Sequence, residues 1–206
     1  RSSSVASTFA ALTPAVGAII ENINLRTIDE SDFKTVAAAF AHYHGFVFCD
    51  QHLSDDDLVA FSARFGPLDH APVMENGRTA VEGRPEIYLV SNIKDASGAA
   101  IGSLGSGEAV WHTDMSYAAN TPFASALYVV EIPLAGGETS LCSMAAAYRA
   151  LPEALRARLA GLRIKHDGTY NSGGYLRQGV SEADNLRDAV GTYHPIVLAH
   201  PASGTP

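Results

Sequence analysis

The chain has 206 residues, 47% of them hydrophobic and 17% charged, with a formal net charge of -8. That length suits a single domain with a sizeable core, and the acidic balance argues against the basic stripe of a nucleic-acid-binding surface. Only Cys49 and Cys142 are present, each in an apolar run, which argues against a disulfide framework and reads as buried free thiols in a reducing cytoplasm.

Residues 5–20 are apolar enough to suggest a leader, but Ser7, Thr8, Thr13 and Pro14 interrupt them and no long uncharged span follows. No targeting or membrane segment is expected there. Val16 to Ile23 predicts a short strand. Ser31 is placed as the N-cap of a helix with Phe33, Val36, Ala37 and Phe40 on one face, closed by Gly45. Phe46-Val47-Phe48 predicts a short buried strand. Ser54 and Asp57 have the spacing of a capping box, opening a helix with Leu58 and Phe61 inward that Gly66-Pro67 stops.

Glu86 to Ile93 and Ser125 to Ile132 are rich in Val, Ile, Leu and Tyr and predict strands, with a Gly- and Ser-rich loop over 98–107 between them. Ala145 to Leu162 predicts helix broken at Pro152, which suits position N1 of a second helix ending at Gly161. Tyr193 to Ala199 predicts a last strand. There is no internal repeat and no linker, so one domain is expected. Helices early and strands in the middle predict an α+β class with a mainly β core.

The chemistry concentrates in Trp111-His112-Thr113-Asp114, just after the Gly-rich stretch. An imidazole and a carboxylate two positions apart can turn toward one point. They make up two thirds of the 2-His-1-carboxylate facial triad that holds non-heme Fe(II) with open positions. Alone the triplet is weak, because a structural histidine bonded to a nearby carboxylate has the same sequence. Its context adds upstream glycines for backbone freedom and Trp111 as an apolar wall.

Further ordered segments carry a family resemblance. Trp111-His112-Thr113-Asp114 is followed by Thr121-Pro122, Gly136-Gly137-Glu138-Thr139, Ala146-Ala147-Tyr148 and Leu151-Pro152. Earlier stand His44-Gly45-Phe46-Val47-Phe48, Asp50-Gln51, Leu53-Ser54 and Arg64-Phe65-Gly66-Pro67-Leu68; later come His194-Pro195-Ile196-Val197 and His200-Pro201. This set resembles the taurine/2,4-dichlorophenoxyacetate dioxygenase family of Fe(II)- and 2-oxoglutarate-dependent oxygenases, over nearly the whole chain. The resemblance implies a double-stranded β-helix (a cupin-like jelly roll) with flanking helices. It also implies His112 and Asp114 as iron ligands and Thr139 as donor to a carboxylate of 2-oxoglutarate, with O2 as the other co-substrate. The presence of Asp114 favours hydroxylation, or oxidative cleavage after it, over halogenation.

In that family a second iron-binding His and an Arg for the distal carboxylate of 2-oxoglutarate lie further on, and this chain ends at Pro206 before them. His166, His194 and His200 are the candidates for a substitute ligand. The oxygenase domain is therefore expected to be incomplete at its C-terminus, binding iron weakly without turnover as these residues alone. Candidate substrate contacts are Glu108, Met115 and His70, for a small organic molecule that the sequence does not name. Tyr170 to Tyr175, with Asn171, Ser172, Gly173 and Gly174 between, is either a lid or an ordinary connection. A homo-oligomer is possible. The alternative from another class is a metal-free jelly-roll binding domain. A zinc hydrolase would need a closed ligand set that the chain does not display.

Overall fold

A computed structural model describes residues 8–72, 81–105, 110–201, 204 and 206. The chain divides into two compact units, one of Arg1–Phe65, Leu127–Leu162 and Ile196–Pro206, the other of Gly66–Ala126 and Arg163–Pro195. Among the described residues no helix is long and apolar enough to cross a membrane.

The first unit is organised around a three-stranded sheet in the order β1 (Thr8–Ala11), β2 (Ala18–Glu21) and β3 (Phe46–Phe48). β1 runs antiparallel to β2, joined by a turn in which Gly17 has φ +87° and its carbonyl accepts from Leu12 N–H at 2.9 Å. β3 runs parallel to β2, so the connection must cross over, and α1 (Glu30–Tyr43) makes that crossing. β2 is shorter than the predicted segment, and β1 falls where only an apolar stretch was noted.

The cap of α1 is Asp29 rather than Ser31. Its Oδ1 accepts from Asp32 N–H at 2.8 Å, which leaves Ser31 inside the first turn, where its carbonyl accepts from Thr35 Oγ1 at 3.0 Å. The capping box on α2 (Asp55–Ala63) is formed: Asp57 N–H donates to Ser54 Oγ at 3.2 Å and Ser54 N–H to Asp57 Oδ2 at 2.9 Å.

Both helices bring aromatic rings onto the sheet. Phe33 meets Phe65 at 4.9 Å between centroids, and Phe61 meets Phe48 at 5.7 Å and Phe65 at 5.6 Å. Val36 and Phe61 are buried, while Leu58 is half-buried and Val47, at the middle of β3, faces solvent. The Arg64 guanidinium lies 4.0 Å over Phe33 and bonds Glu30 Oε2 at 2.7 Å, tying the end of α2 to the start of α1.

His44 ends α1 in the left-handed region at φ 61°, its N–H donating to Phe40 O at 2.8 Å, and its ring stands 5.3 Å from that of His200. Burial first, then the charges of His200, His42 and Arg149, hold its pKa below the ordinary 6.5. A histidine with a depressed folded pKa binds fewer protons folded than unfolded, so its contribution is present above the unfolded value and is lost as pH falls through the folded one. Acidification from pH 7 is therefore expected to lower the denaturation midpoint through this group. His44→Asn, which tolerates the left-handed backbone, is expected to flatten that dependence. An unchanged slope of midpoint against pH in the variant would remove His44 as its source.

Pro152 separates α3 (Met144–Ala150) from α4 (Glu153–Leu159), standing one place earlier than expected, at the N-cap of the second helix. The predicted strand over 125–132 is absent. Within the first unit the Tyr128 hydroxyl accepts from Leu53 N–H at 3.1 Å, while Val130 is 84% and Ile132 73% exposed. Strand propensity reflects fit to a pleated, partnered surface, and no ladder partner pairs with this segment among the described residues. Both thiols are free and exposed rather than buried, because Cys49 leaves β3 into a turn and Cys142 precedes α3 on an exposed stretch.

In the second unit, β4 (Val90–Ser91) is the only part of the predicted 86–93 strand that forms, pairing in parallel with β5 (Ser103–Leu104) inside the predicted loop. β6 (Arg163–Asp167) pairs antiparallel with β7 (Gly191–Pro195), which begins two residues before the predicted Tyr193 start. Gly191 has φ +134°, and a Cβ there would stand 1.9 Å from the His166 carbonyl oxygen, so only glycine closes this end of the ladder.

Candidate metal centre

The triplet lies on a loop of the second unit that folds back through two successive turns. Ser116 N–H donates to Thr113 O at 3.3 Å and Ala118 N–H to Met115 O at 2.9 Å, with Met115 at φ 49°. Distant parts of the same unit hold the loop. Val110 N–H donates to Ser172 O at 3.4 Å. Tyr117 packs onto Gly168, where a Cβ would come within 3.0 Å of its ring, and the Arg177 guanidinium lies 4.3 Å from that ring's centroid. The Ala118 carbonyl accepts from His194 Nε2 at 2.9 Å.

This framework turns two side chains toward one another. His112 Nδ1 stands 2.7 Å from the Val110 carbonyl oxygen. A carbonyl can only accept, so Nδ1 carries the proton and Nε2 is the nitrogen left for other work. Nε2 stands 3.1 Å from Asp114 Oδ1, and Ser125 Oγ donates to Asp114 Oδ2 at 2.6 Å. The two side chains therefore present one nitrogen and one carboxylate oxygen to the same point.

The donor set fits a metal ion. Nitrogen and oxygen donors about 2.1 Å from one first-row divalent ion and about 90° apart would stand about 3.0 Å from each other. His112 and Asp114 side chains are 39% and 53% exposed, so a hydrated ion can reach them. Among the described residues no third His, Cys, Asp or Glu joins them. His194 spends its Nε2 on Ala118, His166 stands edge-on to His194 at 5.5 Å, and His200 faces His44 in the first unit.

Thr139 is exposed in the first unit, two residues after the Gly136–Gly137 turn, whose φ values are 79° and 77°. Met115 is half-buried beside Asp114, and His70 is exposed in a segment without regular structure. Glu108 lies outside the described residues. Trp111, expected as an apolar wall, is 72% exposed. Residues 170–176 form a tight turn in which Asn171 Oδ1 accepts from Gly173 N–H at 3.0 Å and Tyr175 N–H at 2.9 Å. Ser125 had no sequence signal of its own, being one hydroxyl in a stretch read as strand.

Comparison with known proteins places the chain in a family. The family model for the taurine catabolism dioxygenase TauD, TfdA family matches residues 8–206. An (S)-phenoxypropionate/alpha-ketoglutarate-dioxygenase of Sphingobium herbicidovorans is 29% identical over 205 residues, covering 95% of this chain and 67% of that enzyme. The alpha-ketoglutarate-dependent 2,4-dichlorophenoxyacetate dioxygenase of Cupriavidus pinatubonensis is 30% identical over 206 residues, covering 94% and 69%. A solved structure of a putative alpha-ketoglutarate-dependent taurine dioxygenase from Burkholderia xenovorans superposes with TM-score 0.71 at 30% identity, over 97% of this chain and 61% of that one. The chain thus spans about two thirds of the length of these relatives.

Proposed function

The chain belongs to the taurine catabolism dioxygenase TauD, TfdA family, and on that premise we propose that it carries the metal-binding part of a 2-oxoglutarate-dependent dioxygenase acting on a small organic molecule. The same proposal includes a jelly-roll core forming one oxygenase domain, of which these residues supply a part. The observation that supports it is the convergence of His112 Nε2 and Asp114 Oδ1 at 3.1 Å, with Nδ1 2.7 Å from the Val110 carbonyl oxygen.

His112 and Asp114 would hold Fe(II) as a neutral and an anionic donor. When bound, Fe(II) with 2-oxoglutarate and O2 supplies the oxidising chemistry that functionalises a C–H bond, with release of succinate and CO2. The protein's own part is positioning and exclusion. The Val110 carbonyl keeps the imidazole turned outward by its lone pair. Thr139 offers a hydroxyl to a carboxylate of 2-oxoglutarate. Met115, Glu108 and His70 are the proposed substrate contacts, and the 170–176 turn, bonded through Ser172 to Val110, would limit water at the ligand loop. The relatives named for aryloxy acids make small organic acids the first substrates to try.

The test is made on the complete gene product, incubated with Fe(II), 2-oxoglutarate and O2 against a panel of aryloxy acids, sulfonates and sulfate esters. Substrate-dependent succinate, and a visible charge-transfer band with Fe(II) and 2-oxoglutarate without oxygen, are expected. Absence of both would return the chain to the metal-free binding-domain reading.

A further inference from the structure

We infer that Ser125 is a positioning residue for the Asp114 carboxylate, restricting it to one oxygen toward the metal; this rests on the reading of His112 and Asp114 as metal ligands. The two carboxylate oxygens of Asp114 have different partners. Oδ1 faces His112 Nε2 at 3.1 Å, and Oδ2 accepts the Ser125 hydroxyl at 2.6 Å. The second distance lies in the short range of hydroxyl-to-carboxylate bonds, where an ionised acceptor strengthens the contact.

A carboxylate on a short side chain can rotate and offer an ion either one oxygen or both. Taking both would fill two positions where the facial triad needs the carboxylate to fill one. The Ser125 hydroxyl holds Oδ2 and fixes the carboxylate plane, so that Oδ1 alone remains beside Nε2. Ser125 stands 11 residues from Asp114 and is exposed, outside any helix or strand. Its hydroxyl is therefore placed by the chain path after Pro122, and its removal does not open a core. Groups that orient ligating carboxylates in this way typically contribute about 10–100-fold to metal affinity.

The experiment is Mn(II) titration of the 206-residue chain and of the complete gene product, read by electron paramagnetic resonance of free and bound ion, for the parent, Ser125→Ala, Ser125→Thr and His112→Ala. Ser125→Ala is expected to weaken binding by about 10–100-fold and to change the bound-ion spectrum, with an unchanged apo denaturation midpoint. Ser125→Thr, which keeps the hydroxyl, is expected to restore both affinity and spectrum. Parent-like affinity and spectrum in Ser125→Ala, alongside lost binding in His112→Ala, would overturn the role of Ser125 alone. Parent-like binding in His112→Ala would overturn the ligand reading and the Ser125 role with it.

Discussion

Asp114→Ala is expected to reduce divalent-metal affinity by at least about 100-fold and, in the complete gene product, to bring substrate-dependent succinate to background. The carboxylate is the only anionic group converging on His112 Nε2 among the described residues, at 3.1 Å. Without it a single neutral imidazole faces the ion, and the Ser125 hydroxyl loses its acceptor. Asp114→Asn separates charge from shape. It keeps an oxygen for coordination but removes the negative charge that offsets the ion's own, and its affinity is expected to fall between the parent and Asp114→Ala. Titration with Mn(II) and an endpoint succinate assay check both variants. Succinate formation at parent rates in Asp114→Ala would sink the assignment of this residue as a ligand.

Phe61→Ala is expected to destabilise the first unit by about 3–5 kcal/mol, the range for deleting a buried aromatic ring. Phe61 is buried, with ring centroids 6.4 Å from Phe33, 5.7 Å from Phe48 and 5.6 Å from Phe65. It thus joins α1, β3 and the end of α2 at one point. The cavity left by its ring cannot collapse without moving all three, because interiors are close-packed. Urea denaturation followed by far-ultraviolet circular dichroism measures the change. A loss below about 1 kcal/mol would show that the aromatic cluster repacks around the gap.

Local chemistry was legible in the sequence where a few neighbouring residues decide the outcome. The Ser54–Asp57 capping box, the inward face of α1 through Val36 and the strand at Phe46–Phe48 all form where short-range pattern placed them, although that strand is not buried as expected, Val47 being 43% exposed. The cap of α1 was misplaced because Asp29, Ser31 and Asp32 all carry capping side chains, and only the realised bond from Asp32 N–H to Asp29 selects among them. Residues 125–132 have the composition of a strand, yet a strand exists only with a partner, which composition does not report.

The candidate site divides in the same way. His112 and Asp114 are legible from spacing, and the ordered flanking segments give them meaning. What aims them is not legible, since Val110 O, Ser125, Gly168 and His194 act through contacts set by the path of the chain rather than by a motif.

The fastening of the ligand loop also has a kinetic consequence. The bond between His194 and the Ala118 carbonyl joins residues 76 apart. At synthesis rates of about 5–20 residues per second, the loop leaves the ribosome some 4–15 seconds before its clamp exists. The contacts within the triplet are local, but the clamp on the loop that carries it comes late, after a long loop has closed. Until that closure the two side chains stand on a loop that His194 does not yet hold, so on the reading proposed above ion uptake would follow closure of the loop rather than the appearance of the triplet.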